Sequence, residues 1–266
     1  MQDLKIVLIQ TEQFWEDKKA NFNWIEQNYF NDLVGKQVDL VLLPEMFNTS
    51  FTMNVEQLSE SMAGESISWL IFWAKKLNTK IGATLIIKEN GGYYNRFVIV
   101  DDKGVDIYYN KRHLFRMADE NKFFKAGDER IVYELNGWKI LLQVCYDLRF
   151  PVYSRKLYDE KGHEYDAIIY LANWPTKRAN VWHTLLQARA MENQAFVIGV
   201  NRVGKDGNEI NYSGNSMVVD PWGNIENDLL DAKNVKMLVI LKFDSLLSIR
   251  EKFPAYQDSD VFFNDK

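Results

Sequence analysis

The chain has 266 residues, 47% hydrophobic and 14% aromatic, enough to bury a full core. Its formal charge of −5 argues against nucleic acid or an anionic membrane as the main partner. No apolar run reaches the roughly 18 residues of a membrane span, and with Cys145 as the one cysteine no disulfide forms within the chain. Leu4–Gln10 reads as a buried strand rather than a secretion signal, so the cytoplasm is the expected compartment. An amphipathic helix is predicted over 15–34, with Phe22, Ile25, Tyr29 and Leu33 on one face. A strand ends at Glu45, a helix follows over 66–77, and a β-branched strand over 80–88. Past a strand that breaks at Cys145, a helix is predicted over 151–158. A strand ending at Asn173, a helix over 178–193 and a strand over 195–201 follow. Such alternation implies right-handed parallel crossovers.

Val98-Ile-Val-Asp101-Asp-Lys-Gly104 and Met217-Val-Val-Asp220-Pro-Trp-Gly223 share an apolar triplet followed by Asp-x-x-Gly. Each reads as a hairpin turned by its aspartate and glycine. Two such hairpins beside parallel strands suggest an α/β fold of two similar mixed sheets, stacked face to face with helices outside. No linker-like shift in composition interrupts the chain, so one domain is expected over 1–266. The segment from Arg250 to Tyr256 suits packing on the body or on a second subunit.

Three of the five prolines, Pro44, Pro151 and Pro175, close candidate buried strands, since proline cannot donate into a sheet ladder. If those strands are parallel neighbours, Glu45, Cys145 and Asn173 converge on one sheet edge. A cysteine attacking a carbonyl needs a base, an oxyanion donor and an acid for the leaving group. The three histidines fit poorly. His113 follows Lys111-Arg112, His163 lies in a polar loop and reads as solvated, and His183 lies mid-helix beside Trp182. None has metal-ligand spacing to Cys145, and neither a metal nor an organic cofactor is expected. Glu45 suits the base if burial raises its pKa, and a lysine in the basic turn after Tyr108-Tyr109 suits the oxyanion. The bland alternatives are an inert core thiol, an exposed strand-end acid and a solvated lysine.

Leu43-Pro-Glu45-Met-Phe, Asn110-Lys111-Arg-His-Leu-Phe and Val144-Cys145-Tyr-Asp-Leu-Arg149-Phe-Pro, in that order, resemble the three signatures of the carbon–nitrogen hydrolase (nitrilase) superfamily. Leu171-Ala-Asn173-Trp-Pro, Gln187-Ala-Arg-Ala-Met-Glu192-Asn and Tyr212-Ser-Gly-Asn-Ser216 extend the resemblance over nearly the whole chain. Lys111-Arg-His-Leu-Phe-Arg-Met-Ala-Asp-Glu120 and Arg250-Glu-Lys-Phe-Pro-Ala bring it nearest to bacterial omega-amidases. The resemblance implies a four-layer αββα sandwich. It also implies Glu45 as general base, Lys111 as oxyanion lysine, Cys145 as nucleophile and Glu120 as a second active-site glutamate, with Asp119 adjacent. By the same resemblance Tyr146 lends a backbone N–H to the oxyanion, while Asn173 and Trp174 border the pocket. Omega-amidases act on 2-oxo acid monoamides, so a cation must meet the distal carboxylate. Arg116, Arg149, Lys177 and Arg178 are the candidates, though Arg149 equally suits a structural role in the turn after Cys145. A nitrilase, a carbamoylase or another amidase would use the same triad, and a non-catalytic binding protein is the remaining class. Family members commonly form dimers or larger assemblies, and aromatics near Tyr153, Tyr158 and the 253–263 tail suit such an interface.

Overall fold

The computed structural model describes residues 2–159, 162–229 and 233–260. In chain order its strands are β1 (Leu4–Gln10), β2 (Leu40–Leu42), β3 (Lys80–Glu89), β4 (Gly92–Val100), β5 (Val105–Asn110), β6 (Val132–Leu135) and β7 (Trp138–Val144). Then come β8 (Tyr158–Asp159), β9 (Gly162–His163), β10 (Ala167–Ala172), β11 (Phe196–Asn201), β12 (Val203–Lys205), β13 (Asn211–Ser213), β14 (Met217–Val219), β15 (Ile225–Asp228) and β16 (Val235–Leu241). Among the described residues, two six-stranded sheets run β16-β1-β2-β3-β4-β5 and β15-β14-β11-β10-β7-β6.

Strand alternation separates the layers. Ile6 and Leu8 of β1 and Leu40 and Leu42 of β2 meet Ile140, Leu142, Ile169 and Leu171 of the other sheet in the central core. The intervening Val7, Ile9 and Val41 face helices, among them Glu65–Leu77, through Phe22, Ile25, Leu70 and Trp73. On the second sheet Ile168 and Tyr170 pack under helix Ala179–Asn193 through Trp182 and Leu186. The layers are therefore α, β, β, α, as the resemblance implied.

The two sheets share one plan. In each, three parallel strands (β1, β2, β3 and β7, β10, β11) lead into an antiparallel hairpin (β4–β5 and β14–β15). Both turns are held by their aspartate: Asp101 accepts from the Lys103 and Gly104 N–H groups, Asp220 from those of Trp222 and Asn224. The internal echo in the sequence thus marks equivalent hairpins.

Several local readings change. The first helix begins at Lys18 behind an Asp17 N-cap, and its middle, Glu26–Phe30, is a π-helix. The helix expected over 151–158 is a single turn, Pro151–Ser154. Its growth is blocked because Arg130 takes the carbonyls of Tyr153 and Arg155, and Tyr165 donates to that of Ser154. His163 is not solvated. It packs between Tyr158 and Tyr256, where burial and the nearby Lys156 and Arg250 charges push its pKa down to about 3. Tyr153 is half-buried, donating to the Glu129 carbonyl. Arg250 docks the C-terminal helix on the body through Asp166 and the Tyr165 carbonyl. The tail beyond 260 lies outside the described residues.

Candidate active site

Glu45 follows β2, Lys111 follows β5 and Cys145 follows β7, all at the C-terminal ends of their strands. Cys145 and Asn173 do follow parallel neighbours, β7 and β10. Glu45 comes instead from the facing sheet, so the one-edge arrangement is corrected: the site straddles the gap between two sheets.

The centre is a buried charge cluster. Lys111 Nζ lies 2.9 Å from Glu45 Oε1 and 3.0 Å from each oxygen of Glu120. Glu45 and Glu120 are 0% exposed and Lys111 is 1% exposed. Burial alone would lower the lysine pKa, but Glu120 and Glu45 outweigh it and hold the ammonium above its ordinary value. Burial raises the pKa of Glu120, the Lys111 charge opposes this, and Glu45 adds to it. Glu120 Oε2 also accepts the Phe115 N–H at 2.6 Å. Asp119 points away, exposed and paired with Lys122, so the neighbouring acid does not compete.

Local sequence explains the lysine's placement. Its N–H donates to the Asn95 carbonyl on β4, and its carbonyl accepts from Gly127. A Cβ on Gly127 would sit 2.3 Å from the Asn110 carbonyl oxygen, so glycine alone fits there. The glycine seven residues past Glu120 thereby closes the loop that carries both charged groups.

Cys145 has φ +44°, a left-handed conformation that costs a non-glycine residue about 1–2 kcal/mol and is commonly held at functional sites. It opens the 3₁₀ turn Cys145–Arg149, where the first amides, that of Tyr146 included, lack an acceptor within the turn. Asp147 fixes this geometry. Its fully buried carboxylate accepts from Val144 N–H, Tyr109 hydroxyl and His113 N–H, and pairs with the His113 ring at 2.7 Å. One acid therefore ties the Cys145 turn to the segment flanking Lys111. Local spacing carries no signal for this, because Asp147 touches partners 34 and 38 residues away.

The sulfur lies 3.9 Å from the Asn173 carbonyl with Glu45 as its side-chain neighbour. Burial first, and the Glu45 charge second, push the thiol pKa well above its ordinary value despite Lys111. A thiol held in this way needs a base before it can attack a carbonyl. Glu45 faces it, held by three donors: Lys111 Nζ and Asn95 Nδ2 on Oε1, and the Asn173 N–H at 2.9 Å on Oε2. No histidine lines the cavity among the described residues; His113 stacks on Phe150 at 3.8 Å instead.

A cavity of about 780 Å³ opens onto Cys145, Glu45 and Lys111. Aromatic and apolar walls come from Phe51, Met53, Phe115, Tyr146 and Trp174. Two guanidiniums face it, Arg149 at 5.5 Å over the Trp174 ring and Arg178 at 5.2 Å over Phe115. Neither forms a salt bridge among the described residues. Arg116 and Lys177 are exposed and do not line the cavity. In the short turn Arg116–Ala118 it is Met117 and Ala118 that reach the cavity wall. Asn173 lines the cavity, yet its amide is committed to the Glu45 carbonyl. Trp174 is pinned through its indole to the Arg178 carbonyl.

The family model for carbon–nitrogen hydrolases matches residues 5–239. The chain belongs to the carbon–nitrogen hydrolase family. It is 43% identical to an omega-amidase, YafV, of Yersinia enterocolitica, over 98% of this chain and 99% of that one. It is 33% identical to a 2-oxoglutaramate amidase of Bacillus subtilis, over 90% and 92% of the two chains. Among solved structures, XC1258 of Xanthomonas campestris, a CN-hydrolase superfamily protein with an arsenic adduct in its active site, superposes with a TM-score of 0.94. That match is 37% identical and covers 99% of both chains. Among the described residues, no helix of this carbon–nitrogen hydrolase is long and apolar enough to cross a membrane.

Proposed function

We propose that the protein is an omega-amidase. It hydrolyses the terminal amide of a small 2-oxo dicarboxylic acid monoamide, 2-oxoglutaramate, to 2-oxoglutarate and ammonia. The observation that carries this reading is the sharing of one cavity by Cys145, with its buried Glu45–Lys111–Glu120 cluster, and two guanidiniums that form no salt bridge among the described residues. A substrate carboxylate entering such a cavity needs a cation, and Arg149 and Arg178 fill that need. The likeness to an omega-amidase and a 2-oxoglutaramate amidase supports the same substrate class.

In the mechanism, Glu45 takes the thiol proton as the Cys145 sulfur bonds to the amide carbon. Lys111 and the Tyr146 N–H hold the tetrahedral oxyanion, while Glu120 keeps Lys111 charged and in place. Glu45 passes its proton to the amide nitrogen, the C–N bond breaks and ammonia leaves an acyl thioester. Water, deprotonated by Glu45, attacks the thioester; the C–S bond breaks, the proton returns to sulfur, and the acid departs. Asn173 and Trp174 shape the wall beside the acyl group. The chain works as one domain over 1–266, in the cytoplasm, as a dimer or larger assembly, which light scattering tests directly.

The substrate reading is tested by measuring ammonia release from 2-oxoglutaramate beside glutamine and a simple nitrile. Preference for the oxo-amide supports it. Turnover of the nitrile or of glutamine with the oxo-amide ignored overturns the substrate while leaving the triad standing.

A further inference from the structure

Asn95 lies on β4, does not line the cavity, and sits under the charge cluster. Its Nδ2 donates to Glu45 Oε1 at 2.7 Å and to Glu120 Oε1 at 3.2 Å. Its main-chain carbonyl accepts the Lys111 N–H at 2.9 Å. One residue thus touches both carboxylates by its side chain and, main chain to main chain, the residue that carries the cation between them. The amide orientation is dictated by chemistry, because carboxylates only accept and only the NH2 end donates. The Asn95 Oδ1 is buried without a hydrogen-bond partner among the described residues. A buried amide that leaves its own carbonyl unpaired is a poor stabiliser. What the position provides is two uncharged N–H donors for two carboxylates.

Among the described residues, the charged groups that meet Asn95 are Glu45 after β2, Lys111 after β5 and Glu120 in its turn, with the Cys145 thiol after β7 on the far side of Glu45. The neighbouring Arg96 points to the other face, to Glu89 and Asn110. Two carboxylates flank one ammonium, so the cluster carries an excess negative charge that repels itself and favours taking up a proton. A proton trapped there blocks a carboxylate that must accept one from the thiol.

We propose that Asn95 is a positioning residue that divides its two amide hydrogens between Glu45 and Glu120, keeping Glu45 aimed at Cys145 and open to the thiol proton. This rests on the reading of Glu45 as the base. Asn95 touches no substrate, so its loss acts on kcat and on pH dependence, not on KM.

The test uses the full-length protein and needs no substrate, because Cys145 is the one thiol to label. The rate of alkylation by iodoacetamide is followed against pH in wild type, Asn95→Leu and Glu45→Gln, with folding checked by circular dichroism. The proposal expects the acid fall-off of labelling in Asn95→Leu to move up by about one pH unit, and kcat to fall about tenfold at pH values below that fall-off with KM unchanged. Asn95→Ser, which keeps a donor, shows a smaller shift and replaces the leucine variant if that fails to fold. A folded variant whose labelling profile superposes on wild type overturns the proposal and leaves Asn95 a packing residue. If Glu45→Gln also labels like wild type, the base assignment itself has failed.

Discussion

Glu45 Oε2 accepts the main-chain N–H of Asn173 at 2.9 Å, joining the end of β2 in one sheet to the end of β10 in the other. β10 is the parallel neighbour of β7, which ends one residue before Cys145. The carboxylate is therefore referenced to the same pair of strands that carries the thiol. The Asn173 side chain repeats the link by donating to the Glu45 carbonyl, and the Gln13 amide reaches that carbonyl at 3.0 Å. The Glu45 carboxylate and the Cys145 thiol, from different sheets, are held in register by these bonds, which is the preorganisation that the proposed proton transfer requires.

Lys111 is the cation on which this arrangement turns. Lys111→Met removes an oxyanion contact and leaves Glu45 and Glu120 buried side by side. Turnover is expected to fall by about 100-fold or more. Stability should fall by about 3–5 kcal/mol, as when one partner of a buried ion pair is removed. Steady-state ammonia release and urea denaturation read the two effects separately. Near-normal turnover would remove Lys111 from the mechanism.

Arg149 and Arg178 are expected to set selectivity for an anionic substrate. Arg149→Met and Arg178→Met should each raise KM for 2-oxoglutaramate by about tenfold, the value of one charge-assisted hydrogen bond. The double variant should lose the oxo-amide's advantage over a neutral small amide. The comparison of kcat/KM for the two substrates checks this. Unchanged selectivity in the double variant would place the carboxylate elsewhere.

A second expectation concerns stability and pH. Burial first, and the Arg250 charge next, push the Lys156 pKa down from 10.5 to about 6. The unfolded chain keeps that amine charged up to its ordinary value, while the fold binds fewer protons between the two. The fold is therefore penalised in full below about pH 6, and the penalty fades as pH rises toward 10.5. Lys156→Met should raise Tm, by more at pH 6 than at pH 9. Thermal melts at the two values test it, and a gain that grows with pH would contradict the assignment.

The layers and the site were legible in the sequence to different depths. Buried strands announce themselves through runs such as Ala167–Ala172, and Asp101 and Asp220 turn hairpins through contacts two to four residues away. Glu45, Lys111 and Cys145 stand beside recognisable neighbours, and the structure brings them together. Asn95 and Asp147 escaped notice because their partners are tertiary. Asn95 reaches Glu45 50 residues away and Glu120 25 away, separations no local pattern encodes. The facing-sheet origin of Glu45 was hidden for a related reason: β2 and β10 have the same character, and which sheet a strand joins is decided by pairing. The helix predicted over 151–158 shortens to the turn Pro151–Ser154 because Arg130, some twenty residues upstream, takes the Tyr153 and Arg155 carbonyls.

The central claim is that ammonia leaves through an acyl thioester on Cys145. Ammonia release from 2-oxoglutaramate by Cys145→Ala, set against wild type on the same day and scale, tests it most directly. The account predicts strong turnover in wild type and a loss of about 10⁴-fold or more in a variant that still folds. Turnover that survives the substitution would contradict the covalent route and with it the roles given to Glu45 and Lys111.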